Sequence, residues 1–167
     1  MTSTVEIYEL TASMAGTDKT SGAVRFKLAD DQTVDSNNPM TIPKNGVDYR
    51  RSFTKQLRMY CATAPSAYLE NLRMYTDGAN GFGTGIAVNA SNVGAVFSAN
   101  ATPAMSGGSD LFTYTSAAPL NLDTSHTASV VATGFFGDLV KLQMVVASTA
   151  SSGRLTAETV TFSFDEV

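Results

Sequence analysis

Thr159-Val160-Thr161-Phe162-Ser163-Phe164 alternates small hydroxyl side chains with Val160, Phe162 and Phe164. In an extended chain, successive side chains point to opposite faces, so the three apolar residues share one face and the hydroxyls take the other. The stretch predicts a half-buried β-strand. The same rhythm recurs along the chain: Val140, Leu142, Met144 and Val146 alternate with Lys141, Gln143 and Val145, and Val24, Phe26 and Leu28 alternate with Arg25 and Lys27. No window sustains the i, i+3, i+4, i+7 spacing of an amphipathic helix.

Further strands are predicted at Val5–Leu10, Met40–Ile42, Phe53–Cys61, Leu69–Tyr75, Ile86–Val88, Val93–Phe97, Leu111–Tyr114 and Ser129–Ala132. Between them lie turn clusters such as Asp35-Ser36-Asn37-Asn38-Pro39, Asp77-Gly78-Ala79-Asn80-Gly81 and Ser151-Ser152-Gly153. Gly supplies positive φ, Pro presets φ and Asx side chains mimic a turn, so each cluster has a mechanism for reversing the chain. The prediction is an all-β fold, an antiparallel, jelly-roll-like β-sandwich of about ten short strands. A closed eight-stranded barrel is the rival architecture that sequence leaves open.

The 167 residues fit one domain, 1–167, because two separate cores would each be small and poorly buried. No linker divides them, since the Ser/Thr/Ala/Gly-rich stretch 89–110 still contains Val96 and Phe97. Hydrophobic residues make up 43% and charged residues 16%, enough apolar material for a core and too little charge for a self-repelling chain. The net charge of −4 argues against nucleic acid as a partner, because phosphate binders concentrate Lys and Arg. A lone Cys61 cannot form an internal disulfide, which suits maturation in a reducing cytoplasm. The start, Met1-Thr2-Ser3-Thr4-Val5-Glu6, has neither a basic segment nor an apolar one, and no apolar run approaches the roughly 20 residues of a membrane helix, so no membrane partner is expected.

One tetrapeptide occurs twice, as Leu57-Arg58-Met59-Tyr60 and as Leu72-Arg73-Met74-Tyr75. If both copies are strands, Leu57, Met59, Leu72 and Met74 face the core, and Arg58, Tyr60, Arg73 and Tyr75 face away from it as an Arg/Tyr surface. Arg and Tyr are enriched where interfaces concentrate their energy, which makes these four residues interface candidates. Ordinary solvent-facing strand residues, or tyrosines covered by a loop, are the other reading.

Catalytic chemistry has little to build on. A Ser-His-Asp or Cys-His set needs a histidine beside its nucleophile, and the single His126 lies in a polar loop. One Cys and one His do not supply a zinc cage. The turn 77–81 lacks the later oxygen ligands of a calcium loop, whereas Asp30, Asp31 and Asp35 would collect a hard cation if their loop folded back. Gly81-Phe82-Gly83-Thr84-Gly85 lacks the lysine and the following helix of a phosphate loop and reads as a hairpin or bulge. No catalytic, cofactor-binding or metal-binding residue is expected, and no cofactor.

Three stretches taken together resemble structural proteins of tailed-bacteriophage particles. They are Gly22-Ala23-Val24-Arg25-Phe26-Lys27 with Val34-Asp35-Ser36-Asn37-Asn38-Pro39, then Asn71–Asn80, then Glu158–Glu166. Within that group the chain looks like a capsid decoration, or cement, protein. The resemblance implies a non-enzymatic virion protein, made in the host bacterial cytoplasm, on the capsid exterior. Its implied partner is the major capsid protein, bound by a homo-oligomer, with a trimer favoured because several contacts then act together. Residues 1–4 (Met1, Thr2, Ser3 and Thr4) would serve as an N-terminal arm adding a strand to a neighbour. The alternatives are a tail component, whether connector, tube or baseplate, and a carbohydrate-binding β-sandwich whose tyrosines stack on sugars. The absence of Trp weighs against the last.

Overall fold

A computed structural model describes residues 2–11, 16–44, 46–125 and 130–167. Among these residues ten strands follow in order: β1 (Thr4–Leu10), β2 (Gly16–Asp18), β3 (Tyr49–Arg51), β4 (Lys55–Thr63), β5 (Leu69–Tyr75), β6 (Ile86–Asn92), β7 (Ser109–Asp110), β8 (Leu120–Asn121), β9 (Gly134–Ala147) and β10 (Thr161–Glu166). A 3₁₀ turn at Leu111–Thr113 separates β7 from β8. All strand pairs are antiparallel.

Two sheets form. The larger runs β2-β1-β4-β9-β6-β7, with β3 pairing the far end of β9, and the smaller runs β10-β5-β8. Both are open-ended, so the molecule is an antiparallel β-sandwich and not the closed barrel that sequence left open. No helix among the described residues is long and apolar enough to cross a membrane.

Alternation sets the core. Leu57, Met59 and Cys61 of β4, Leu72 and Met74 of β5, Ile86, Val88 and Ala90 of β6, and Val140, Leu142, Met144 and Val146 of β9 form one buried cluster. Phe162 and Phe164 of β10 pack against it. The long strand β9 organises the larger sheet because it carries β4 and β3 along one side and β6 along the other.

That strand is interrupted. Pairing with β4 jumps from Leu57↔Val140 to Met59↔Phe136, which leaves extra residues on β9. Gly137 allows the bulge: its φ is +66°, and a Cβ there would lie 2.9 Å from the Leu72 side chain. The bulge turns Asp138 inward, where it is 1% exposed and accepts bonds from Asn92 Nδ2 (2.7 Å), the Thr124 backbone (3.0 Å) and the Thr124 hydroxyl.

Four predicted strands do not form, and of a fifth, Ser129–Ala132, the described residues make only the isolated bridge Leu69↔Val130. Residues 93–97 are irregular, 111–113 form the 3₁₀ turn, and Met40 and Ile42 pack on the core without a ladder. Val24–Leu28 reads as alternating, but its ladder consists of a single bridge, Lys27↔Pro39. Lys27 is fully buried there, against the expectation that it faces solvent. Tertiary packing overrides the local pattern because this segment wraps the end of the sandwich, where its lysine finds carboxylates.

The repeated tetrapeptide needs a second correction. Its Leu and Met residues all face the core as predicted, but β4 and β5 belong to different sheets, joined by the crossing segment 64–68. Arg58 and Tyr60 therefore lie on the outer face of one layer, and Arg73 and Tyr75 on the outer face of the other. The single Arg/Tyr surface is two surfaces.

Candidate functional site

Among the described residues, the outer face of the larger sheet divides into a half covered by a strap and a half left uncovered. In antiparallel pairing, residues opposite one another share a face. The register places Asp18, Tyr8 and Arg58 in one row across β2, β1 and β4, and Glu6, Tyr60 and Phe135 in the next row across β1, β4 and β9. Three aromatic rings meet in the middle. Tyr8 and Tyr60 lie 5.3 Å apart between centroids, Tyr8 and Phe135 5.5 Å, and Tyr60 and Phe135 5.1 Å, with interplanar angles of 54°, 86° and 72°. These are the tilted and edge-to-face contacts that aromatic quadrupoles favour.

Phe135 is 42% exposed although it is a large apolar side chain. Carboxylates flank the rings. Burial, then a hydrogen bond to Glu6 and the charges of Glu6 and Asp18, hold the Tyr8 phenol above its usual pKa, so it remains a neutral hydroxyl. The cluster is an apolar, aromatic spot with an acidic margin.

The other half of this face is closed by the irregular strap 93–105. Arg58 Nε donates to the Gly137 carbonyl (3.0 Å) and its Nη1 to Ala95 (3.5 Å). Gln56 Nε2 reaches Asn100 Oδ1 (2.7 Å) and the Ser98 carbonyl, Lys141 Nζ reaches the Ser98 hydroxyl, and Gln143 Nε2 reaches the Thr102 and Pro103 carbonyls. Gln143 Oε1 accepts from the Met105 amide at 3.0 Å. These polar side chains give partners to strap backbone groups that would otherwise be buried without them. Burial lowers the pKa of Arg58, against the opposing pull of Asp138.

On the opposite layer, Arg73 Nη2 meets Asp165 Oδ2 at 3.0 Å and its Nε donates to the Asn71 carbonyl. Tyr75 lines an open depression of about 340 Å³ with Asp77, Ser116, Glu158, Thr159 and Thr161. The N-terminal candidates fall elsewhere again. Met1 lies outside the described residues, Thr2 is exposed, and Thr4 is already in β1, opposite Thr63. Ser3 is tied to the chain's own C-terminal strand, its amide and hydroxyl donating to the Glu166 carboxylate at 2.9 and 3.0 Å. His126 and the predicted strand start at Ser129 are also outside the described residues.

The loop carboxylates do converge, but on a cation the chain supplies. Lys27 Nζ lies 2.6 Å from Asp31, 2.6 Å from Asp35 and 3.0 Å from the Thr33 hydroxyl. Asp30 turns away to Asn100 Nδ2 at 2.8 Å. Burial disfavours the Lys27 ammonium, but its bonds to Asp31 and Asp35 outweigh that and raise its pKa. The same bonds hold both carboxylates low, Asp35 at about 2 with help from the Asn37 amide. Beside this cluster, buried Glu9 bonds Lys55 Nζ at 2.8 Å, and Lys19 Nζ lies 3.5 Å away. The arrangement pins the 19–35 excursion to the sandwich. Among the described residues no group of three His, Cys, Asp or Glu side chains gathers as metal ligands.

Sequence reasoning found Tyr60 but missed Tyr8 and Phe135. The signal for Tyr8 was available, since Glu6 and Tyr8 alternate with Val5 and Ile7. For Phe135 it was not, because Phe135-Phe136 breaks the alternation and only the bulge decides which ring faces out. No protein-family model matches the chain, and searches of curated proteins and of solved structures find no match.

Proposed function

We propose that this chain is a non-enzymatic structural protein of a tailed-bacteriophage particle, a decoration protein that docks on the outer surface of the major capsid protein shell and stabilises it. The observation that carries the docking role is the bare Tyr8–Tyr60–Phe135 cluster on a sheet face whose other half the chain covers with its own strap. A sheet that tucks away its polar half and leaves Phe135 exposed between two half-buried tyrosines favours a protein partner, because aromatic anchors dominate such interfaces. The virion assignment rests on the resemblance of the three sequence stretches, and the net charge of −4 suits an exterior position away from packaged nucleic acid.

The same geometry disfavours the carbohydrate reading. Sugar rings stack on flat, accessible aromatic faces, whereas these rings stand edge to face against one another at 72° and 86°.

Purified protein added to expanded capsid shells should bind in saturable stoichiometry and raise their resistance to heat. Phe135→Ala should abolish most of that binding while leaving the fold intact. Co-purification with tails and not with shells would move the protein to the tail. Glycan-array binding that survives Phe135→Ala would overturn the docking surface.

A further inference from the structure

A sheet edge carries unpaired backbone donors and acceptors that recruit another strand, and proteins protect such edges by keeping them short, bulged, charged or covered. Most edges here are blunt. On the larger sheet, β2 has three residues and β7 two, and on the smaller sheet β8 has two. Next to β2 the edge of β1 is capped at Ile7, whose O accepts from the Lys19 amide and whose N donates to the Thr20 hydroxyl. β3 has three residues, and among the described residues the longest edge strand that ends a sheet is β10, with six residues, Thr161–Glu166.

Little of this protection is built into β10. It has no Pro and no Lys, and its charges, Asp165 and Glu166, sit at one end. The irregularity in its pairing falls on its neighbour: Ser163 faces Arg73 and Asp165 faces Glu70, so two steps along β10 match three along β5. The extra residue is accommodated at Asn71, whose φ is +53°. The edge strand itself stays regular. Ser3 bonds the Glu166 side chain at its end.

The sequence of this strand is self-complementary. Set antiparallel to a copy of itself about Ser163, it places Phe162 opposite Phe164, Thr161 opposite Asp165 and Ser163 opposite Ser163. Each pair lies on one face, the phenylalanines on the core side, where aromatic cross-strand pairs are favourable. No like charges meet. We propose that β10 is a homodimer contact, pairing with β10 of a second copy across a two-fold axis at Ser163 and joining two three-stranded sheets into one of six. Two-fold self-pairing differs from the trimer that the phage resemblance implies, and it stands whether or not the protein binds capsids.

Sedimentation across a concentration series decides it. The wild type should show a monomer–dimer equilibrium. Ser163→Lys, which sets two ammonium groups against each other at the axis, should weaken dimerisation by about tenfold or more. Ser163→Thr should retain it. Amide exchange in wild-type β10 should slow as concentration rises, a readout that needs no variant. A wild type still monomeric at roughly 1 mM, a trimer indifferent to Ser163→Lys, or β10 exchange independent of concentration would each overturn the proposal.

Discussion

Leu57-Arg58-Met59-Tyr60 and Leu72-Arg73-Met74-Tyr75 are the same four residues, and on β4 and β5 they end in unlike surroundings. Both bury Leu and Met between the sheets. The outward Arg and Tyr part company. Arg58 is half-buried beneath the strap and bonds two carbonyls, whereas Arg73 is 40% exposed and pairs with a carboxylate that is 53% exposed. Tyr60 stands in a ring cluster, and Tyr75 lines an open depression. Alternation within a strand decides which side chains turn in. What an outward side chain then meets depends on distant segments, here the β9 bulge and the strap 93–105.

The inward halves offer the largest effect and should not differ. Met59 is 1% and Met74 0% exposed, so Met59→Ala and Met74→Ala should each cost about 2–5 kcal/mol in urea unfolding. A marked inequality would mean that the two sheets do not share one core. The arginines come next and should differ. Arg58→Ala leaves two carbonyls without their charged donor and should cost about 1.5–3 kcal/mol. Arg73→Ala removes an exposed pair and should cost about 0–1 kcal/mol, less in high salt. Equal costs would show that the strap does not depend on Arg58.

The tyrosines sharpen the contrast further. Tyr60→Leu keeps apolar bulk but loses the tilted contacts with Tyr8 and Phe135, an expected loss of about 0.5–1.5 kcal/mol, together with weakened shell binding. Tyr75→Leu should change neither measurably. If Tyr75→Leu alone impaired shell binding, the docking face would belong to the smaller sheet.

The sandwich was legible in the sequence because half-buried strands write a period of two, clearest in Val140–Val146 and in Thr159–Phe164. Leu69–Tyr75 was located to the residue. The short edges β2, β3, β7 and β8 were not, since two or three residues carry no period. Lys27 misled for a physical reason: its aliphatic stem and charged head suit the surface unless carboxylates enclose the ammonium, and the convergence of Asp31 and Asp35 is a property of the folded loop. The aromatic cluster was half visible, with Tyr60 on a clean strand and Phe135 placed by a bulge that its sequence does not announce.

Acid should reveal the smallest difference between the two copies, through Asp138, which anchors the bulge behind Arg58. Burial pushes its carboxyl up, but bonds from Thr124, Asn92 and Ser125 outweigh that and hold its pKa below the ordinary value. A group with a depressed folded pKa contributes its stability in full above the unfolded value, about 3.9, and loses it as pH falls toward the folded one. The gap in unfolding free energy between the wild type and Asp138→Asn should therefore hold steady from about pH 6 to 5 and narrow below about pH 4. In an Arg73→Ala background the narrowing should persist, because that arginine lies on the other sheet. A gap that instead widens in acid would mean that Asp138 binds its proton more readily folded than unfolded, and that the bulge is held by something other than its charge.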